Sequence, residues 1–140
     1  MVEGKFHIRK EEALKYRKVK IMLMDIYAAY SNDDIDLSED DYQAFIKSHV
    51  RLRGGLFCSD YGTFDGRYYD RLVTQITGQS LNQDWIPPET VRKMYQAFCE
   101  FNMMESIGNL GENNSVDDVT KLRKFFKVCS ERGLGLSRWT

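Results

Sequence analysis

Apolar residues recur at spacings of three and four in five stretches of the chain, a period typical of amphipathic helices. The five predicted helices cover about residues 10–30, 39–53, 67–77, 87–107 and 116–132. Residues 79–86 and 135–140 are assigned to a connection and a short tail. The pattern therefore predicts an all-α fold, an irregular bundle of about five helices in a single domain spanning residues 1–140.

Several of the predicted helix ends carry residues that commonly cap helices. Ser38 precedes the second helix and Ser115 the fifth, and each is followed three positions later by an acidic residue, as Asp41 follows Ser38. Gly78 and Gly133 stand after the third and fifth helices, where glycine often ends a helix in the left-handed conformation. These signals predict where helices begin and end more sharply than the apolar period does.

Residues 56–66 show no helical period and mix aromatic side chains with glycine and aspartate, which predicts a loop, with a short hairpin as the alternative. Tyrosine and arginine, the residue types enriched in binding hot spots, are dense in and just after this segment. We therefore predict a partner-binding site made of Tyr61, Phe64, Arg67, Tyr68 and Arg71. The competing interpretation is that these rings fill the core beneath a long loop.

The formal net charge of the chain is −1, but its charges are segregated. Lysine and arginine outnumber acids in residues 1–20 and 121–140, whereas residues 21–41 contain acids and no lysine or arginine. Basic terminal segments predict an alternative function, a nucleic-acid-associated protein that uses Arg123, Lys124 and Lys127. The sequence pI of about 6.1 is low for a domain that depends on phosphate contacts.

The three cysteines, Cys58, Cys99 and Cys129, are widely spaced and odd in number, which argues against a disulfide framework. Cys99 and Cys129 fall on apolar helical faces and are predicted to be buried, so Cys58 is expected to react first. The chain begins without a secretory signal and lacks an apolar stretch long enough to span a bilayer, so we expect a cytoplasmic protein without membrane contact.

Templates for catalysis and for metal binding fail on the residues present. The acidic run near Asp36 starts like a calcium loop, but Glu39 and Phe45 stand where glycine and glutamate are needed. His49 lies on the predicted apolar face of the second helix, which favours a core histidine, and nothing local supports its pairing with Cys58. We therefore expect no catalytic residues, no metal and no cofactor.

The hypothesis that best fits these patterns is a non-enzymatic protein-binding module, such as an adaptor, an inhibitor or an immunity-type factor. It acts through a protein–protein interface, and a protein is the expected partner. Nucleic-acid association is the alternative, and an enzyme with an unrecognised site comes third. The oligomeric state does not follow from the sequence.

Overall fold

The computed structural model describes residues 24–34, 36–55, 58, 60–101 and 116–139. Within these residues the chain forms four helices and one four-stranded antiparallel sheet, so the fold is α+β. The prediction of an all-α bundle is wrong. In chain order the elements are β1 (Asp25–Ala29), α1 (Glu39–Lys47), β2 (Thr63–Asp65), α2 (Gly66–Thr77), β3 (Trp85–Ile86), α3 (Pro88–Glu100), α4 (Val116–Arg132) and β4 (Gly135–Trp139).

The first predicted helix is wrong in its described part, because residues 25–29 form strand β1. All five residues of β1 are buried, and the strand lies between β2 and β4 in the sheet. A strand buried on both faces lacks the apolar–polar alternation that would identify it, so its residues also match a helical period. Residues 10–23 of that predicted helix lie outside the described residues.

The sheet has the strand order β2-β1-β4-β3, with every neighbouring pair antiparallel. The predicted tail, residues 135–140, supplies the inner strand β4, and the predicted connection, residues 79–86, contains β3. Gly135 has no room for a side chain, since a Cβ there would lie 2.7 Å from the ring of Trp85. This close approach lets the β3 tryptophan lie against the β4 backbone.

One face of the sheet packs into the main apolar core. Ile26 of β1 stands opposite Phe64 of β2, and the ring of Phe64 lies 5.0 Å from that of Phe125 in α4. Phe125 also contacts Phe45 of α1, with ring centroids 4.9 Å apart. The core thus joins the sheet to α1 and α4, which are far apart in the sequence.

Several predicted helix ends are confirmed, although the predicted fold class is wrong. The Ser38 hydroxyl accepts a hydrogen bond from the backbone N–H of Asp41 at 3.1 Å, which confirms the cap of α1. Gly78 and Gly133 have φ angles of 78° and 69°, which confirms both left-handed helix ends. The carboxylate of Asp41 does not complete a capping box, because it pairs with Arg132 instead. Ser115 lies outside the described residues.

Helix α1 is shorter than predicted, and this displaces His49. The helix ends at Lys47, so residues 48–55 are not helical. His49 has a positive φ of 54° and is exposed, so the prediction that it lies on an apolar helical face is wrong. Helix α3 ends at Glu100, because Phe101 has extended backbone angles, so the fourth predicted helix is too long at that residue. Its predicted residues 102–107 lie outside the described part of the chain. Among the described helices, none is long and apolar enough to cross a bilayer.

Candidate functional site

Two arginines lie over two tyrosine rings beside strand β2. The guanidinium carbon of Arg51 is 5.3 Å from the centre of the Tyr61 ring. That of Arg53 is 4.6 Å from the centre of the Tyr68 ring. Helix α2, which begins directly after β2, adds two further exposed arginines. We call this set the arginine–tyrosine surface, and it comprises Arg51, Arg53, Tyr61, Arg67, Tyr68 and Arg71.

The segment after helix α1 places both stacked arginines on one side of the chain. Val50 and Leu52 are buried, whereas Arg51 and Arg53 are exposed. Alternation with a period of two means that successive side chains point in opposite directions, as they do in an extended chain. The two apolar side chains therefore hold the segment against the core while the two arginines face outward.

Arg53 is tied to the fold through its own backbone. Its N–H donates to the hydroxyl of Tyr69 at 2.8 Å, and its carbonyl accepts from the N–H of Asp65 at 2.8 Å. Tyr69 is only 2% exposed, and burial raises the pKa of its hydroxyl to about 12. The phenol is therefore neutral at physiological pH, and it fixes the position of Arg53 from within the core.

Tyr68 is oriented by neighbours at its edge and at its hydroxyl. Its ring meets that of Tyr69 edge-on, with centroids 4.8 Å apart. Its hydroxyl donates to the Asp118 carboxylate of α4 at 3.5 Å. The ring face is then covered by the guanidinium of Arg53. A ring held in this way gives the arginine a fixed plane on which to stack.

Like Tyr68, Tyr61 is packed edge-on by a second tyrosine, which for Tyr61 comes from helix α1. The ring of Tyr42 packs edge-on against it at 6.1 Å, and the Tyr42 hydroxyl donates to Asp60 at 2.9 Å. That hydrogen bond to a carboxylate is the main reason why the pKa of Tyr42 is raised. Tyr61 is half-buried, so part of the ring lies against the fold and part is open to solvent beneath Arg51.

Helix α2 presents its two arginines one turn apart. Asp65 caps the helix by accepting from the N–H of Arg67 at 3.0 Å. Arg67 and Arg71 are four residues apart, a spacing that places side chains on the same helical face. Both are exposed. The surface therefore combines two arginines from an extended segment with two from a helix.

The structure separates the five predicted partner-binding residues into two groups. Tyr61, Arg67, Tyr68 and Arg71 belong to the arginine–tyrosine surface. Phe64 has no exposed area and packs in the core. It points inward because it is the central residue of β2, opposite Ile26, and we leave it out of the surface.

Arg51 and Arg53 are absent from the predicted site because the second predicted helix continues through residue 53. The alternation of apolar and basic residues over 50–53, Val-Arg-Leu-Arg, is the signal that points to them. This alternation has a period of two, which conflicts with a helix. Had the four residues been interpreted in this way, they would have indicated an extended segment with both arginines on its outer side, as in the structure.

The basic residues of the alternative interpretation lie on α4. Lys124 and Lys127 are exposed and Arg123 is half-buried. The neighbouring Lys121 is paired with Asp117 at 3.2 Å. The side chains predicted to bind nucleic acid therefore share one helix, without an aromatic partner of the kind that Arg51 and Arg53 have among the described residues.

The predicted order of thiol exposure is wrong for Cys58 and Cys99, whereas the predicted burial of Cys129 is confirmed. Cys58 and Cys129 are buried and Cys99 is exposed. The Cys58 thiol donates to the carbonyl of Phe64 at 3.4 Å, and burial, aided by the nearby Asp25, raises its pKa to about 12. A protonated, buried thiol is a poor nucleophile. Cys99 follows Phe98 directly and so lies around the helix from the buried stripe of α3, which consists of Val91, Met94 and Phe98.

Metal-ligating side chains are scattered in the part of the chain that the structure describes. Groups of three or more His, Cys, Asp or Glu residues placed to hold a metal ion are absent there. His49 is exposed while Cys58 is buried, so these two side chains occupy different environments. In comparisons with protein-family models, curated proteins and solved structures, nothing matches this chain, so its function has to be inferred from the site.

Proposed function

We propose that this protein is a non-enzymatic protein-binding module and that its partner docks on the arginine–tyrosine surface. The observation that carries the proposal is the pair of stacked contacts, Arg51 over Tyr61 and Arg53 over Tyr68. Tyrosine and arginine together dominate the residues whose truncation weakens protein complexes most. Here they occur as a built arrangement on a defined backbone rather than as scattered exposed side chains.

Stacking prepares these arginines for binding. A free arginine loses rotamer freedom when it is immobilised in a complex, at a cost of about 0.5–1.5 kcal/mol per side chain. A guanidinium that already lies on a tyrosine ring has lost part of its rotamer freedom before binding. The N–H groups at the edge of a guanidinium held in this way remain suited to donating hydrogen bonds. Arg53 gains further order from the two hydrogen bonds of its backbone.

The proposal covers an adaptor, an inhibitor or an immunity-type factor, each of which functions by occupying a partner's surface. We also propose a cytoplasmic location. Its support is that Cys58, Cys99 and Cys129 are all free thiols, which is the usual state in a reducing compartment.

Affinity capture tests the proposal. Tagged wild-type protein, the double variant Arg67→Ala/Arg71→Ala and the control Lys124→Ala/Lys127→Ala would be incubated with nuclease-treated extract of the cells that make the protein. We expect one or more proteins to bind to the wild type and the control but not to the arginine variant. All four side chains are exposed, so melting temperatures should agree within a few degrees. Equal capture by all three proteins would refute the proposed surface.

Nucleic-acid binding is the second candidate, and the charge of α4 is the observation that favours it. Lys124 and Lys127 are exposed, and neither forms an ion pair among the described residues. If this candidate holds, Lys124→Glu/Lys127→Glu abolishes a gel shift of labelled oligonucleotide, and wild-type affinity falls steeply as salt rises. No shift at low ionic strength would eliminate it.

A further inference from the structure

We propose that the partner occupies the arginine–tyrosine surface with an acidic segment, a run of aspartate or glutamate side chains held by the guanidinium groups. This inference rests on the proposed function and specifies the chemistry of the partner. It starts from the hydrogen-bond and ion-pair partners of the charged groups on the surface.

The acids closest in sequence to the arginines accept hydrogen bonds from neutral groups. Asp65 caps α2, and the Asp60 carboxylate accepts from Tyr42. The Asp70 carboxylate lies between Arg67 and Arg71 in sequence, but it accepts from the Leu81 N–H at 2.7 Å and the Ser80 hydroxyl at 3.1 Å. In each case one carboxylate oxygen is held by a neutral donor, so the acid keeps its charge but is oriented by a contact other than an arginine.

The guanidinium groups show the same lack of pairing between these acids and the arginines. Among the described residues, Arg53, Arg67 and Arg71 form no ion pair. Three cationic side chains on this surface are therefore exposed and without an ion pair among the described residues. Carboxylates are the protein groups that match such donors best, because arginine can bind both oxygens of a carboxylate in parallel hydrogen bonds.

Arg67 adds a second, independent observation. It is the second residue of α2, and apart from the Asp65 cap the first turn of this helix contains no acidic residue. The amino-terminal end of a helix carries a partial positive charge, so an arginine there is unfavourable for stability whereas an acid is favourable. A bound carboxylate would neutralise both the side chain and the helix end.

Stacking also favours a planar, hydrogen-bonding anion over a simple counter-ion. A guanidinium donates in its own plane, so an arginine that lies over a ring presents its donors at its edge. Arg51 and Arg53 point outward from alternate positions of one segment. Side chains on the same side of an extended partner strand also recur at alternate positions, so the side of such a strand that faces Arg53 can carry successive acidic residues.

The direct test uses a labelled oligoglutamate peptide as the probe and fluorescence anisotropy at low salt as the readout. We expect the wild-type protein to bind it and Arg67→Glu to bind it about tenfold more weakly, the loss typical of one strong charged contact. Lys124→Glu is the matched control, with the same charge change at an exposed position of α4, and its affinity should stay within about twofold of wild type. Arg67→Lys retains the charge but lacks the fork, so it should bind several-fold more weakly than wild type.

Stability supplies a second readout that a merely structural arginine would not give. Arg67→Glu places an acid at the amino-terminal end of α2 and four residues before Arg71, an arrangement that favours a helix. We therefore expect this variant to melt at the same temperature as the wild type or slightly higher while it binds the probe more weakly. A lowered melting temperature together with unchanged binding would overturn the proposal.

Three outcomes separate this inference from the proposed function. If oligoglutamate displaces the captured partner, the inference is supported. If Arg67→Ala/Arg71→Ala loses the partner but oligoglutamate neither binds nor competes, the protein-binding function stands and the acidic segment is wrong. If a single-stranded oligonucleotide binds through Arg67 more tightly than oligoglutamate does, the surface recognises nucleic acid and the inference is overturned.

Discussion

The ion pair between Asp41 and Arg132 offers a quantitative test of what holds helices α1 and α4 together. Arg132 Nε lies 2.5 Å from Asp41 Oδ1, across 91 positions of sequence, and links α1 to the end of α4. The two partners differ in environment, since the Asp41 side chain is 3% exposed and that of Arg132 is 38% exposed. The second oxygen of Asp41 is buried and accepts no hydrogen bond within the described structure.

This asymmetry predicts unequal costs for removing the two partners. Arg132→Met would leave a buried carboxylate without its cation, and breaking a buried pair in this way costs about 3–5 kcal/mol. We expect roughly 3 kcal/mol, the lower end of that range, because the space left by a partly exposed arginine can admit water to Asp41. Asp41→Asn removes the buried charge and leaves an arginine that can reach solvent, so we expect a loss of only about 1 kcal/mol.

The double variant Asp41→Asn/Arg132→Met decides between this explanation and simple loss of contacts. If the damage comes from an uncompensated buried charge, neutralising Asp41 should restore part of the stability that Arg132→Met loses. Urea denaturation of the wild type and the three variants would give the four free energies of unfolding. The reasoning fails if Arg132→Met costs less than about 1 kcal/mol, or if the double variant is less stable than Arg132→Met alone.

Three further predictions concern the thiols and the ends of helix α1. Cys99 should be alkylated first in the folded protein, with Cys58 modified only on unfolding, and mass spectrometry of labelled peptides would show the reverse order if the burial is wrong. His49→Gly should raise the free energy of unfolding by about 0.5 kcal/mol, because glycine adopts a positive φ without steric cost, and a decrease in thermal denaturation temperature would contradict this. Ser38→Ala should cost about 1 kcal/mol in urea denaturation, and an unchanged midpoint would mean that the cap contributes nothing.

Helix ends could be predicted from the sequence because the chemistry that determines them is local. Ser38 caps α1 through a hydrogen bond to a residue three positions away. Gly78 ends α2 in the left-handed conformation and donates its N–H to the carbonyl of Thr74. Such contacts involve neighbours in sequence, so the identity of a few residues is enough to predict them.

The sheet could not be predicted, because its strands are defined by partners that are distant in sequence. β1 pairs with β4, and Asp25 stands opposite Trp139. Neither strand shows a clean alternation, since all of β1 and the first part of β4 are buried. Short strands of two, three and five residues give too few positions for a period of two to be distinguished from a helical one.

The candidate site could be predicted only in part, because residue types are visible in the sequence whereas the directions of their side chains depend on distant contacts. Residue types showed that aromatic and arginine side chains are concentrated near Tyr61 and Tyr68. They could not show that Phe64 points inward, because that direction depends on the pairing of β2 with β1. Nor did they reveal Arg53, whose role depends on the hydroxyl of Tyr69, sixteen positions later.

The pairing of β2 also explains why the arginine–tyrosine surface can be ordered although much of it lies outside helices and strands. Phe64 and Tyr69 are fully packed and meet edge-on at 5.6 Å, which fixes the start of α2 relative to the sheet. The hydroxyl of Tyr69 and the N–H of Asp65 then hold the backbone of Arg53 from two sides. A partner that binds here meets donors whose backbone is already in place, so less of its binding energy is consumed in ordering the segment. The buried rings of Phe64 and Tyr69 therefore influence how well the exposed arginines bind a partner, although they do not touch that partner themselves.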